Sequence, residues 1–246
     1  MAGNWKMYKT PAETRAFFEA FRPLVAGVKH CEIVICPPFP DLAAAVEGAS
    51  GANIQVGAQN LYWAKEGAFT GEVSGPMIRA TGATHVIIGH SERRQYFGET
   101  DETVLKKTVA ALEAGLSPIV CVGELLEHRE GGKTEAVLCG QCGKGITGLD
   151  PQQFAKIVIA YEPVWAIGTG KTATPEIAAD AHRIIRREMR ARYGNEVAQN
   201  LRILYGGSVK PDNAKALMAQ EEINGVLVGG ASLDAASFAK IVNYPS

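Results

Sequence analysis

No stretch of this 246-residue sequence approaches the roughly 18 consecutive apolar residues that a membrane-crossing helix requires, and no basic-then-apolar leader precedes Gly3. The expected address is therefore the cytoplasm, with no membrane partner. An excess of charge of one sign is also missing: 25 Lys plus Arg oppose 26 Asp plus Glu, for a formal net charge of −1. That balance argues against nucleic acid as a partner, and any anionic ligand has to be drawn by local charge. Cysteine is sparse and odd in number, at five. A disulfide framework is excluded in a chain this long, and a reducing compartment fits. Cys31, Cys36 and Cys121 fall in or beside strand-like runs and are expected to be core thiols. Cys139 and Cys142 would share one face of a helix, but the segment CGQCGKG offers neither a second zinc-ligand pair nor a thioredoxin-like setting. Ordinary thiols and no metal site are expected there.

What the sequence does have is alternation. With 46% hydrophobic residues it can bury a large core, and residues 1–246 read as one domain. Eight strand-like runs are separated by helical or looped stretches: Ala2 to Lys6, Glu32 to Cys36, Ile54 to Gln59, His85 to His90, Pro118 to Gly123, Ile157 to Tyr161, Arg202 to Tyr205 and Gly225 to Val228. No hairpin dipeptide joins two of them, so the strands are expected to be parallel and linked by crossovers. Eight such units favour an α/β fold in which the parallel sheet closes on itself, a (β/α)8 barrel. Thr10-Pro11-Ala12-Glu13 and Asp150-Pro151-Gln152-Gln153 carry helix-start signals, and Thr174-Pro175 opens a helix that Gly194 ends. Strand one has almost no lead-in before Ala2, so weaker pairing with strand eight is expected at the bottom of the barrel.

The segment from Ile157 to Ala173 is the most informative. An apolar strand delivers a carboxylate, Glu162, into a loop stiffened by Pro163 and opened by Gly168 and Gly170, the layout of a base beneath a lid. This segment resembles the mobile-loop signature of the triosephosphate isomerase family. Four more stretches resemble the same family in its order: GNWKM (Gly3 to Met7), IIGHSERR (Ile87 to Arg94), LYGGSVKPDNA (Leu204 to Ala214) and LVGGASL (Leu227 to Leu233). The likeness spans nearly the whole chain. It implies a TIM barrel that interconverts dihydroxyacetone phosphate and D-glyceraldehyde 3-phosphate in glycolysis and gluconeogenesis, with neither metal nor organic cofactor.

The residues can be read beside that resemblance. Asn4 and Lys6 share one face of strand one and point into the barrel mouth, Lys6 as positive charge for a phosphorylated substrate and its enediolate and Asn4 as an orienting group. A structural ion pair is the plainer reading of Lys6. Val86, Ile88 and His90 read as one face of strand four, with His90 at the carboxyl end, where barrel active sites lie. Amides at Ser91 and Glu92 would disfavour a charged imidazole. A neutral His90 working beside the Glu162 base, and Glu92 as a second carboxylate that either relays protons or anchors Lys6, are carried by the resemblance. Gly206, Gly207 and Ser208 after strand seven and Gly229 and Gly230 after strand eight suit a phosphate, with a helix expected from near Ser232 and Gly168 completing the grip. Tight βα turns are the plainer reading of either glycine pair alone. The long loop from Lys65 to Met77 carries Phe69 and Thr70. In the family it inserts into a second subunit, so the resemblance implies a homodimer. A different sugar-phosphate isomerase or epimerase would keep the glycine loops without needing all five motifs. A non-enzymatic binding module would be free to lose the base.

Overall fold

The computed structural model describes residues 1–167 and 172–245. Eight parallel strands form a closed barrel in chain order: β1 (Ala2–Asn4), β2 (Val34–Cys36), β3 (Gln55–Ala58), β4 (His85–Ile88), β5 (Ser117–Val122), β6 (Val158–Tyr161), β7 (Arg202–Tyr205) and β8 (Gly225–Val228). Each strand pairs with its sequence neighbours, and β1 closes on β8 with Ala2 opposite Leu227 and Gly3 opposite Val228. This junction is as extensive as β2 with β3 or β7 with β8. The weaker pairing expected between strands one and eight is therefore absent, and the Met1 carbonyl accepts from the Val34 amide at 2.9 Å below β1.

Period-two alternation divides the core in two. Ala2, Val34, Cys36, Ile87, Ile119, Cys121, Val158, Ala160, Leu204 and Leu227 form a cluster of their own, the fill of the barrel. Their neighbours Ile35, Val86, Ile88, Ile159, Tyr161 and Val228 join a larger layer shared with the helices. Trp5 is wholly buried in that outer layer, edge-on to Phe17 with ring centroids 4.8 Å apart. Its neighbours Asn4 and Lys6 turn the other way, into the mouth.

The helices start where local chemistry sets them. Helix Pro11–Val25 has a complete capping box between Thr10 and Glu13, and the short helix Pro151–Phe154 has one between Asp150 and Gln153. Helix Pro175–Tyr193 begins after Thr174 and ends at Gly194, whose φ of 88° an L-residue tolerates poorly. Ala181, Ile185 and Met189 on its inner face are buried against the barrel. Cys139 and Cys142 lie on helix Thr134–Gly145, Cys142 buried and Cys139 half-buried. Cys31 is only half-buried, because β2 begins three residues beyond it, whereas Cys36 and Cys121 are core thiols as expected. Among the described residues no helix is long and apolar enough to cross a membrane.

Candidate active site

At the carboxyl end of the barrel, Asn4, Lys6, His90 and Glu162 line a cavity of about 310 Å³ together with Gly206, Gly207, Ser208, Val209, Lys210, Gly229 and Gly230. Residues from β1, β4, β6, β7 and β8 thus converge at the end where barrel enzymes place their chemistry. All the described residues expected to bind or act on a substrate line this cavity except Glu92. Gly168, expected to complete it, lies outside the described residues.

Glu162 follows the last residue of β6 and keeps the inward parity of Val158 and Ala160. Its amide bonds to the Val122 carbonyl of β5 at 2.8 Å, and its side chain is 2% exposed. Gly123 makes this approach possible, since a Cβ there would lie 1.7 Å from the Glu162 carbonyl oxygen. Glu162 Oε1 stands 2.8 Å from His90 Nε2, and Oε2 accepts the Ser91 amide at 2.9 Å. Burial pushes the carboxyl upward, but the His90 ring, its hydrogen bond, the Ser91 amide and Lys6 outweigh burial and hold the pKa below the usual value. Water exclusion at Glu162 is thus already present with its partners in contact, and by itself it does not make the resting carboxylate more basic.

His90 reaches the cavity by a route other than alternation. Val86 and Ile88 face the outer layer, so a straight strand would carry His90 away from the mouth. β4 stops at Ile88, and Gly89 at φ +70° swings the chain into helix Ser91–Tyr96, with His90 as its N-cap. A side chain at Gly89 would also meet Val104 at 2.8 Å. The Glu92 amide donates to His90 Nδ1 at 3.2 Å, which leaves that nitrogen bare and the ring proton on Nε2, facing Glu162. Burial disfavours a charged ring, but the Glu162 carboxylate outweighs it and raises the His90 pKa above the ordinary imidazole value. The expected neutral His90 therefore meets an opposing charge that the sequence did not disclose, because the contact joins two distant strands.

Lys6 has φ +54°, a left-handed conformation uncommon outside glycine. Two side chains hold it there. Its amide donates to Asn4 Oδ1 at 3.0 Å, its carbonyl accepts from Gln59 Nε2 at 2.8 Å, and the same Gln59 nitrogen donates to the Cys36 carbonyl at 2.9 Å. Lys6 Nζ lies 2.5 Å from Glu92 Oε1. Glu92 lines an adjoining hollow with Lys6 and His90, also about 310 Å³. The Glu92 carboxylate touches both candidates for its role, with Oε2 lying 3.6 Å from His90 Nδ1.

The loops after β7 and β8 approach closely where side chains are minimal. A Cβ at Gly206 would meet Glu162 Cγ at 2.9 Å, and one at Gly207 would meet the Tyr205 hydroxyl at 2.2 Å. Asn213 braces the first loop, accepting the Lys210 amide at 2.9 Å and donating to the Ser208 carbonyl at 3.0 Å. After β8, a 3-10 turn spans Gly230–Ser232 and the next helix begins only at Ala235, capped by Asp234. The short helix expected near Ser232 is this 3-10 turn, which begins two residues earlier, at Gly230. Ser232 is buried, donating from its hydroxyl to the Gly229 carbonyl and accepting from Trp5 Nε1.

Sequence reasoning passed over Gln59, Lys210 and Glu124, and gave the Ser91 amide to His90 where it donates to Glu162. Gln59 had a signal, a polar residue at the carboxyl end of a strand-like run. Glu124, 0% exposed, accepts from the Tyr161 hydroxyl at 3.0 Å and Trp165 Nε1 at 2.9 Å, tying β6 to the entry of the glycine loop. Burial and the Glu124 carboxylate raise the Tyr161 pKa far above the phenol range, so it serves as a donor.

A closed parallel barrel presenting an acid, an imidazole and an ammonium beside two glycine loops is an enzyme of the (β/α)8 class. The triosephosphate isomerase family model matches residues 1–245. The triosephosphate isomerase of Solibacter usitatus is 76% identical over 244 residues, covering 99% of this chain and 98% of its own. That of Moorella thermoacetica is 58% identical over 244 residues, covering 99% and 97%. The crystal structure of triosephosphate isomerase from Bartonella henselae superposes with a TM-score of 0.90 at 40% identity, covering 100% of this chain and 98% of that one. The chain belongs to the triosephosphate isomerase family. It is an intramolecular aldose-ketose isomerase acting on triose phosphates, a glycolytic activity.

Proposed function

We propose that Glu162 is the base that moves the proton between the two carbons of the triose phosphate. It removes the carbon-bound proton next to the carbonyl and returns it to the neighbouring carbon. His90, with its proton on Nε2, donates to the substrate oxygens, and Lys6 stabilises the charge of the enediolate, with Asn4 orienting both. Glu92 anchors Lys6. The observation that carries this reading is the 2.8 Å contact between His90 Nε2 and Glu162 Oε1 inside the cavity that Lys6 also lines. A substrate oxygen that displaced Glu162 from Nε2 would remove the charge raising the His90 pKa and free the carboxylate to act. The phosphate is seated on the backbone of Ser208, Gly229, Gly230 and Gly168, and its binding energy supports closure that keeps water from the enediolate.

The wider assignment is one domain over residues 1–246, working in the cytoplasm as its place in glycolysis suggests. The oligomer is a homodimer in which the loop from Lys65 to Met77 brings Thr70 into the partner's hollow beside Lys6 and Asn4. Two features favour this. That hollow is lined by Met7, Phe39, Gln59 and Phe97, and Phe69, Met77 and Phe97 are exposed at 43%, 54% and 66%.

A coupled assay on D-glyceraldehyde 3-phosphate, with Glu162→Asp alongside, tests the mechanism. Withdrawing the carboxylate by one methylene should lower kcat by about 100-fold or more, with competitive inhibition by inorganic phosphate nearly unchanged. Equal loss of turnover and phosphate binding would make Glu162 a structural residue instead.

A further inference from the structure

The cavity that must take up a phosphate has little positive charge to spare. Lys6 is bound to Glu92 at 2.5 Å, so these two charges largely cancel. Glu162, beside His90, remains as a carboxylate in the same cavity. A phosphate monoester carries about −1.5 to −2 charges near neutral pH, and the chain as a whole has a net charge of −1. Neither the global field nor the Lys6 pair favours its entry.

Among the described residues that line the cavity, one cation is unpaired. Lys210 lines the cavity in the loop after β7, is exposed, and forms no ion pair among the described residues, including with Asp212 two positions on. Its backbone is fixed on two sides. The amide is held by Asn213 Oδ1 at 2.9 Å, and the following Pro211 restricts Lys210 to extended conformations. Its stem therefore leaves the loop from a set position next to Ser208 and Val209. An exposed ammonium on a fixed root, lining a cavity whose other charges are paired with one another, draws in an anion without having to bind it tightly.

We propose that Lys210 is the steering residue of this isomerase: it supplies the local positive potential that selects phosphorylated trioses and speeds their capture. The proposal rests on the phosphate seat at Ser208, Gly229 and Gly230 given above.

The test is steady-state kinetics of Lys210→Gln on D-glyceraldehyde 3-phosphate across ionic strength, with D-glyceraldehyde as a substrate lacking the charge. Because exposed charges are screened within about 10 Å at 0.1 M salt, kcat/KM should fall about fivefold at low ionic strength and less than twofold at high salt. The loss should lie in KM rather than kcat. Turnover of D-glyceraldehyde should change little, Lys210→Arg should restore capture, and Lys144→Gln, the same charge change on helix Thr134–Gly145, should leave the salt dependence intact. A loss independent of salt, or an equal loss on D-glyceraldehyde, would overturn the proposal. The seat is tested separately by Gly230→Val. A Cβ at Gly230 meets nothing within 4 Å, so the added methyls would occupy the space assigned to phosphate. An unchanged KM in that variant would move the seat elsewhere, whatever Lys210→Gln does.

Discussion

His90 and Glu162 share a 2.8 Å contact between Nε2 and Oε1 in which both side chains are almost fully buried. The imidazole lies at the start of a short helix and the carboxylate at the end of a strand two positions around the barrel. Each alters the other's proton affinity, downward for the acid and upward for the ring.

That coupling sets a pH window for stability. A carboxylate with a lowered folded pKa contributes fully above its unfolded value, 4.5, and the contribution is lost as pH falls through the folded pKa. A histidine with a raised folded pKa contributes fully below its unfolded value, 6.5, and the contribution is lost as pH rises through the folded pKa. The stability of the wild type relative to Glu162→Gln should therefore peak between these two values and decline on both sides. Urea midpoints of both proteins across pH measure it, and a flat difference would show that the pair is not coupled in solution.

Gly123→Ala should act on the base without touching it. The added Cβ would fall 1.7 Å from the Glu162 carbonyl oxygen, so β5 and β6 must separate at their catalytic ends. Overpacking of this kind costs about 1–3 kcal/mol, and a displaced base should lower kcat by about tenfold or more. Kinetics paired with denaturant melts check both, and wild-type turnover would mean that the strand ends yield freely.

Gln59→Leu should release Lys6. The Lys6 carbonyl would lose its donor, at about 1–3 kcal/mol for a group left unsatisfied, whereas the Cys36 carbonyl keeps the Trp5 amide at 3.0 Å. The left-handed Lys6 would then be free to relax, and kcat/KM should fall with the melting midpoint. Stability loss with unchanged kinetics would show that Asn4 alone sets the Lys6 backbone.

Glu99→Gln probes a buried charge cluster below the adjoining hollow. Glu99 receives Lys107 and Arg93 on one oxygen, and Lys107 also donates to Asn60 Oδ1 at 2.7 Å. Burial pushes the Glu99 pKa up, but Lys107 and Arg93 prevail and lower it. Removing the carboxylate leaves a buried ammonium without its counter-charge, a loss of about 3–5 kcal/mol. Glu102→Gln, at the exposed pair with Lys106, should leave the urea midpoint almost unchanged.

Phe97→Asp should separate the subunits. It places a charge on an exposed ring beside the hollow assigned to the partner's loop. Light scattering should then report a mass near 26.2 kDa in place of about twice that value. A wild type already at 26.2 kDa would remove the dimer.

Much of this protein was legible from its residues because the signals are local. Eight apolar runs in alternation with capped helices specify a closed sheet, and strand parity turns Asn4, Lys6 and Glu162 into its mouth while burying Trp5. Parity failed at His90, where one glycine at φ +70° reverses the expected face, since backbone handedness is not written in hydrophobic period. The glycine loops were visible as motifs, and so was the short helix near Ser232, although its 3-10 form was not. Only the tertiary structure decided the pairs: Glu162 with His90, Glu92 with Lys6, Gln59 with the Lys6 carbonyl. Each joins residues that follow different strands, and the charge each group carries depends on distances set when the barrel closes. The sequence alone thus determined the architecture and the cast of groups at its rim, because periodicity and capping act within a few residues. Closure of the barrel determined their chemistry, because electrostatic coupling acts through space.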